Sequence, residues 1–111
     1  RGWTVEAQRL RTPAGEADIF ATRPLPRSYP APRNGEASEA SERIGLVIEV
    51  KTAEGRWPST DLVDRRRQAR LWRVADFLGQ ERDLVELEVV IALVRLEHDR
   101  DSLRWIATEA W

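Results

Sequence analysis

The sequence has no cysteine and no methionine, a single histidine and, among its 18 Lys+Arg residues, a single lysine. Without cysteine there is no disulfide, no thiolate zinc site and no cysteine nucleophile, a composition that fits a cytoplasmic protein. No run of residues approaches the ~20 apolar positions of a membrane-spanning helix, and no basic-then-apolar leader resembles a signal peptide. The expectation is a protein with no membrane association. Formal net charge is −1, so the chain is not a polycation, and any nucleic-acid binding has to come from a local basic surface. His98 has no partner at metal-ligand spacing and is given no role. No internal repeat is visible. The chain opens inside what reads as structure, at Arg1-Gly2-Trp3, without a starting methionine, so further residues are expected upstream.

What is present is enough for one domain, residues 1–111, with 41% hydrophobic residues to form a small core. Apolar alternation (Trp3, Val5, Ala7) predicts a strand over residues 3–10. Thr12-Pro13-Ala14-Gly15 signals a turn, and residues 17–21 form a second strand of the same hairpin. Residues 22–43 hold Pro24, Pro26, Pro30 and Pro32 and then a small acidic stretch (Glu36, Ser38, Glu39, Ser41, Glu42). Such composition buries too little to offset its ordering entropy, which predicts a long flexible loop between core strands. Residues 44–52 are the clearest strand, with Leu46, Ile48 and Val50 on one face and Val47, Glu49 and Lys51 on the other. After Gly55-Arg56-Trp57-Pro58, Ser59 or Thr60 can cap a helix running to about residue 79. Leu71, Val74, Ala75 and Leu78 make its apolar stripe, continued by Gln68 and Asp64. Residues 84–96 and 103–107 read as two more strands joined by a charged turn. The order β-β-loop-β-α-β-β predicts an α/β (α+β) fold, a mixed β-sheet with at least one helix packed on it.

Two of these strands carry acids. Asp18 shares a face with Glu16 and Phe20, and Glu49 shares one with Lys51. If the strands are neighbours, two or three carboxylates and one ammonium converge on one side of the sheet. A strand reading Leu-Val-Ile-Glu-Val-Lys is otherwise apolar, so its Glu and Lys cost stability unless each finds a partner. Carboxylate oxygens suit Mg²⁺ or Mn²⁺, and a lysine beside them can orient or help deprotonate water or stabilise charge on a phosphate under attack. The solitary lysine in an arginine-rich sequence points the same way, since a compact ammonium does chemistry that a guanidinium does poorly. Taken alone, the Asp…Glu-x-Lys pattern is short and common, and favours an ordinary cross-strand ion pair.

The surrounding sequence changes that balance. Gly15-Glu16-Ala17-Asp18-Ile19-Phe20-Ala21 followed by Leu46-Val47-Ile48-Glu49-Val50-Lys51-Thr52 resembles the YraN-like predicted endonucleases. That family belongs to the PD-(D/E)xK, restriction-endonuclease-like superfamily and is similar to archaeal Holliday-junction resolvases. Arg1-Gly2-Trp3-Thr4-Val5, Leu62-Val63 with Arg67-Gln68-Ala69-Arg70-Leu71, Leu87-Glu88-Val89-Val90 and Glu109-Ala110-Trp111 also resemble family segments, in order. The resemblance implies a restriction-endonuclease-like sheet flanked by helices and a metal-dependent endonuclease of DNA, on branched or single-stranded substrates. It implies that Asp18 and Glu49 ligate the metal with the Val50 carbonyl as a third ligand. Lys51 is then the catalytic lysine, Glu16 a second acid at the rim, and Gln68 a helix residue projecting toward the metal or the scissile phosphate. By analogy with such nucleases, a homodimer is expected. The sequence departs from the family in lacking its N-terminal helix, in carrying Arg67 for a lysine and Glu88 for an aspartate, and in its long loop.

The arginines at 65, 66, 67, 70 and 73 make one helix basic. A charge run is usually a solvated face, but beside a phosphodiester site Arg66, Arg67 and Arg70 are candidates for phosphate contact. Trp57 is a candidate for stacking on bases. Trp3, Trp72, Trp105 and Trp111 read as core or subunit-interface residues. Two other functions compete with the nuclease: a nucleic-acid-binding module of the same fold without catalysis, and an interaction domain whose acidic residues 36–42 serve as a docking tail.

Overall fold

Period-two alternation in five segments and one helical stripe are what the chain has to bury, and a sheet with a helix laid across it buries them. The computed structural model describes residues 2–25, 42–58 and 65–108. In chain order these form β1 (Thr4–Thr12), β2 (Gly15–Pro24), β3 (Arg43–Glu54), α1 (Arg65–Glu81), β4 (Glu86–Leu96) and β5 (Ser102–Ala107). The strands make one sheet in the order β1-β2-β3-β4-β5. All neighbours are antiparallel except β3 and β4, which are parallel. Parallel neighbours need a crossover, and α1 lies on it. The result is the expected α+β fold with a mixed sheet. No helix among the described residues is long and apolar enough to cross a membrane.

The first hairpin closes where the turn signal predicts. Thr12 Oγ1 accepts from the N–H groups of Ala14 and Gly15, each at 3.1 Å, and donates to the Gly15 carbonyl at 2.7 Å. The expected loop is entered later than its composition indicates. β2 continues through Thr22 and Arg23 to Pro24, which opposes Arg43, and the Leu25 N–H donates to the Glu42 carbonyl at 2.8 Å. Proline is tolerated there because β1 pairs no further than Thr22, so at Pro24 one side of β2 is an edge that needs no N–H. Residues 26–41, 59–64 and 109–111, with residue 1, lie outside the described residues. So do the acidic stretch of the loop, the helix cap expected at Ser59 or Thr60, Asp64 and Trp111.

The core is the contact between α1 and the middle of the sheet. Leu71, Val74, Ala75 and Leu78 pack with Ala17, Phe20, Val47 and Val89, all buried. Each large side chain buried here contributes about 1.5–3 kcal/mol of transfer free energy. Just beyond α1, Asp83 takes a left-handed conformation (φ 56°). The Leu84 N–H reaches back to the Gly79 carbonyl at 2.9 Å, a Schellman closure. The chain then folds back so closely that a Cβ on Gly79 would stand 2.6 Å from Leu87 Cδ1, and one on Gly45 would stand 2.6 Å from Leu84 Cδ1. Trp72, expected in the core or an interface, is half-buried; its indole N–H donates to Thr108 Oγ1 at 3.0 Å, which donates to the Val89 carbonyl at 2.8 Å.

This packing identifies the faces. Val47 lies against α1, so Glu49 and Lys51 point to the α1 side and Leu46, Ile48 and Val50 to the other, dividing β3 as its sequence predicts. In β2 the alternation is interrupted. Ala17 and Phe20, three residues apart, both enter the core under α1. The matching irregularity in β1 is Arg9, whose backbone is left-handed (φ 50°). Arg9 falls opposite Asp18, between the pairs Gln8↔Ile19 and Leu10↔Ala17. A left-handed arginine costs about 1–2 kcal/mol.

Candidate functional site

The interruption sits where the β2–β3 ladder stops. The last paired residues are Ile19 and Ile48, whereas β3 runs on to Glu54 with, among the described residues, only β4 beside it. One further step in that register sets Asp18 beside Glu49. The main chain of β3 therefore loses its partner strand at the motif, and a side chain replaces it. The Val50 N–H donates to Asp18 Oδ2 at 2.8 Å. An amide left unsatisfied in such a place costs about 1–3 kcal/mol, so a carboxylate here stabilises the strand as well as providing charge. In an antiparallel ladder the N–H and C=O of one residue point to the same side. The Val50 carbonyl is thus directed toward the Asp18 side too.

Glu49 is on the α1 face with its side chain only 14% exposed, and its Oε2 accepts from Arg67 Nε at 3.2 Å. Lys51, half-buried, follows on the same face. Gln68 is half-buried on α1, next in sequence to Arg67, while Arg66, Arg70 and Arg73 are exposed. The structure thus brings Asp18, Glu49, Val50 and Arg67 together at the end of the β2–β3 ladder, with Lys51 two residues along. Glu16 is placed differently. It opposes Arg11 in the hairpin and pairs with it at 3.7 Å, its side chain 46% exposed. Because Ala17 enters the core under α1, Glu16 points to the opposite face from Phe20, and the shared face expected for them is lost to the interruption at Asp18.

The donors fit a small hard cation. Two carboxylates and a main-chain carbonyl are all oxygen, the ligand class of Mg²⁺ and Mn²⁺, and Mg²⁺ commonly rests on one or two carboxylates with water completing its shell. No group of three or more His, Cys, Asp or Glu side chains among the described residues could hold a metal. An ion at this place would therefore rely on Asp18, Glu49 and the Val50 carbonyl, and would share Glu49 with Arg67.

Trp57 follows β3 and is half-buried. Its ring lies under two guanidinium groups, with Arg104 Cζ 4.2 Å and Arg95 Cζ 4.9 Å from the centroid. Neither arginine stood out in the sequence. Arg104 left a faint signal, as a charge alternating with Leu103 and Trp105. Arg95 left none, because only the register of β4 between its neighbours brings it to Trp57.

No family model matches the chain. The chain is 32% identical over 107 residues to a UPF0102 protein of Trichodesmium erythraeum (strain IMS101). The alignment takes in 91% of this chain and 56% of the relative, so the chain spans little more than half of that protein's length. UPF0102 is the YraN family, whose segments the sequence resembles.

Proposed function

We propose that this chain belongs with the YraN-like proteins and carries the metal-dependent phosphodiesterase centre of a PD-(D/E)xK nuclease acting on DNA. The supporting observation is the hydrogen bond from the Val50 N–H to Asp18, which joins the two halves of the motif from separate strands. A purely structural Glu-x-Lys strand would have no reason to end its ladder at that residue and replace it with a carboxylate.

The reaction is hydrolysis: water adds to phosphorus and the P–O bond to the leaving nucleotide breaks. A divalent cation bound by Asp18, Glu49 and the Val50 carbonyl would supply Lewis-acid charge to the phosphoryl oxygens. Lys51 offers its ammonium where negative charge grows on those oxygens. Asp18 is oriented by Val50, and Glu49 by Arg67, so both carboxylates are held before any substrate arrives. The exposed Arg66 and Arg70, within one turn of Arg67 on α1, would contact backbone phosphates, setting position rather than sequence preference.

The test is nicking of supercoiled plasmid, and cleavage of single-stranded and branched oligonucleotides, across a Mn²⁺ and Mg²⁺ titration. Wild type cleaves only with divalent ion; Asp18→Asn and Lys51→Ala do not cleave, with unchanged circular dichroism. Cleavage retained by either folded variant would overturn the assignment. The Arg67–Glu49 ion pair favours a second reading, a module that binds DNA without cutting it. That reading expects salt-sensitive binding and no product at any divalent concentration.

A further inference from the structure

The α1 face of the sheet continues past the motif into β4 and β5. Lys51 opposes Leu93, and Leu93 opposes Arg104, so Lys51, Leu93 and Arg104 form one row across three strands with their side chains on the same face. Two strand spacings separate Lys51 from Arg104, about 10 Å. Arg95 lies two residues beyond Leu93 on that face, and Trp57 supplies the ring on which both arginines rest.

The two guanidinium groups differ in their charge partners. Arg95 Nε is paired with Glu97 at 2.5 Å. Arg104 is exposed and has no carboxylate within ion-pair distance among the described residues. Each guanidinium is attracted to the indole, and among the described residues Glu97 offsets the charge of Arg95 alone. Stacking also sets orientation. Arg104 Cζ lies 4.2 Å from the Trp57 centroid, and a guanidinium stacked at that distance keeps its N–H donors around its rim, where they match a phosphate.

We infer that Arg104, held flat by Trp57, is a second phosphate-binding position that grips the DNA strand within about three nucleotides of the phosphate at Lys51. Trp57 is then a positioning residue that fixes the arginine, in place of the base-stacking role that its place just after the motif strand suggests. Arg95 with Glu97 fills out the platform without adding net charge. This inference rests on the nucleic-acid part of the function proposed above. It adds β5 to the binding surface, so the strand crosses the sheet from Asp18 toward Arg104 instead of following α1 alone.

Binding is read by fluorescence anisotropy with a labelled single-stranded oligothymidylate, in EDTA to prevent cleavage, over a range of salt concentrations. Plasmid nicking in Mn²⁺ is measured in parallel. Arg104→Ala weakens binding on the order of tenfold, and its plot of log affinity against log salt is shallower by ~0.7, the loss of one phosphate contact. Arg104→Lys keeps the wild-type slope but binds more weakly, because an ammonium cannot stack as a plane. Trp57→Leu lowers affinity with an unchanged melting temperature. Arg104→Ala matching wild type in affinity and slope would overturn the inference and leave the nuclease assignment standing. Arg104-dependent binding without nicking at any Mn²⁺ concentration would support the inference and overturn the nuclease. No binding by wild type would overturn both.

Discussion

The two halves of β3 belong to one strand and share one partner, β4, yet they do different work. Residues 44–48 are paired on both edges, by β2 and β4, and Ile44, Val47 and Ile48 are buried. Residues 49–54 are paired, among the described residues, on one edge only, and carry Glu49, Lys51 and Glu54. Where both edges are filled, the main chain is satisfied and side chains are free to be apolar. Where β2 withdraws, an amide has to be answered by a side chain, and Asp18 answers it. Charged groups collect in the second half because the missing ladder leaves both the space and the unmet polar groups for them. The contrast separates residues that hold the sheet from the residues proposed above to act at its open end.

The largest effect should come from breaking the first half. Phe20 opposes Val47 and is fully buried beneath α1. Phe20→Ala removes a ring at the centre of the only helix–sheet contact described, at a cost of about 3–5 kcal/mol. Chemical denaturation followed by tryptophan fluorescence would measure it. A loss under ~1 kcal/mol would show that the core lies elsewhere.

Next comes the open half, where the loss is expected in activity and not in stability. Glu49→Gln keeps the shape of the side chain and removes its charge. Cleavage should fall about 10²–10³-fold, the scale of one lost electrostatic contact to the transition state. The denaturation midpoint should hardly move. A variant that unfolds early while the surviving fraction cleaves normally would assign Glu49 to the first half's role.

The contrast within β3 is legible in the sequence to a large extent. Leu46-Val47-Ile48 against Glu49-Val50-Lys51 shows alternation becoming charged along one face, and Val47, Glu49 and Lys51 do share the α1 side. The strands, the helix and their order were legible too, because each follows from local periodicity. What was not legible is the irregularity that makes the site. Arg9 takes a left-handed backbone that glycine or asparagine would have announced and arginine does not. Hence Glu16 and Phe20, two turns of the pleat apart, end on opposite faces. Arg67 on Glu49, and Arg95 and Arg104 on Trp57, join residues from different elements. Their meeting depends on sheet register and on where α1 lies, neither of which a periodicity records.

A smaller effect tests how tightly the first half is packed. Gly45→Ala puts a Cβ 2.6 Å from Leu84 Cδ1 and 3.1 Å from Leu87 Cδ2. Both are ends of leucine side chains, which can shift, so the cost should be about 1–3 kcal/mol, below that of Phe20→Ala. Thermal melts of the two variants side by side would rank them. Equal or reversed costs would mean that the chain after α1 packs more rigidly than the centre of the sheet.

The smallest change in stability, and the most informative about the open half, is expected at Arg67. Its side chain is 45% exposed, and its pair with Glu49 is at 3.2 Å. Solvent and salt weaken such a pair, so Arg67→Gln should alter stability by less than ~1 kcal/mol. The same substitution removes a cation from the carboxylate that a divalent ion would use. Mn²⁺ should then raise the melting temperature at lower concentrations in the variant than in wild type, since a ligand bound only by the folded state stabilises it according to its affinity. Wild type and Arg67→Gln responding at the same Mn²⁺ concentration would mean that Glu49 does not serve a metal. The open half of β3 would then be an ion-paired strand end, and the contrast between its two halves would be one of packing alone.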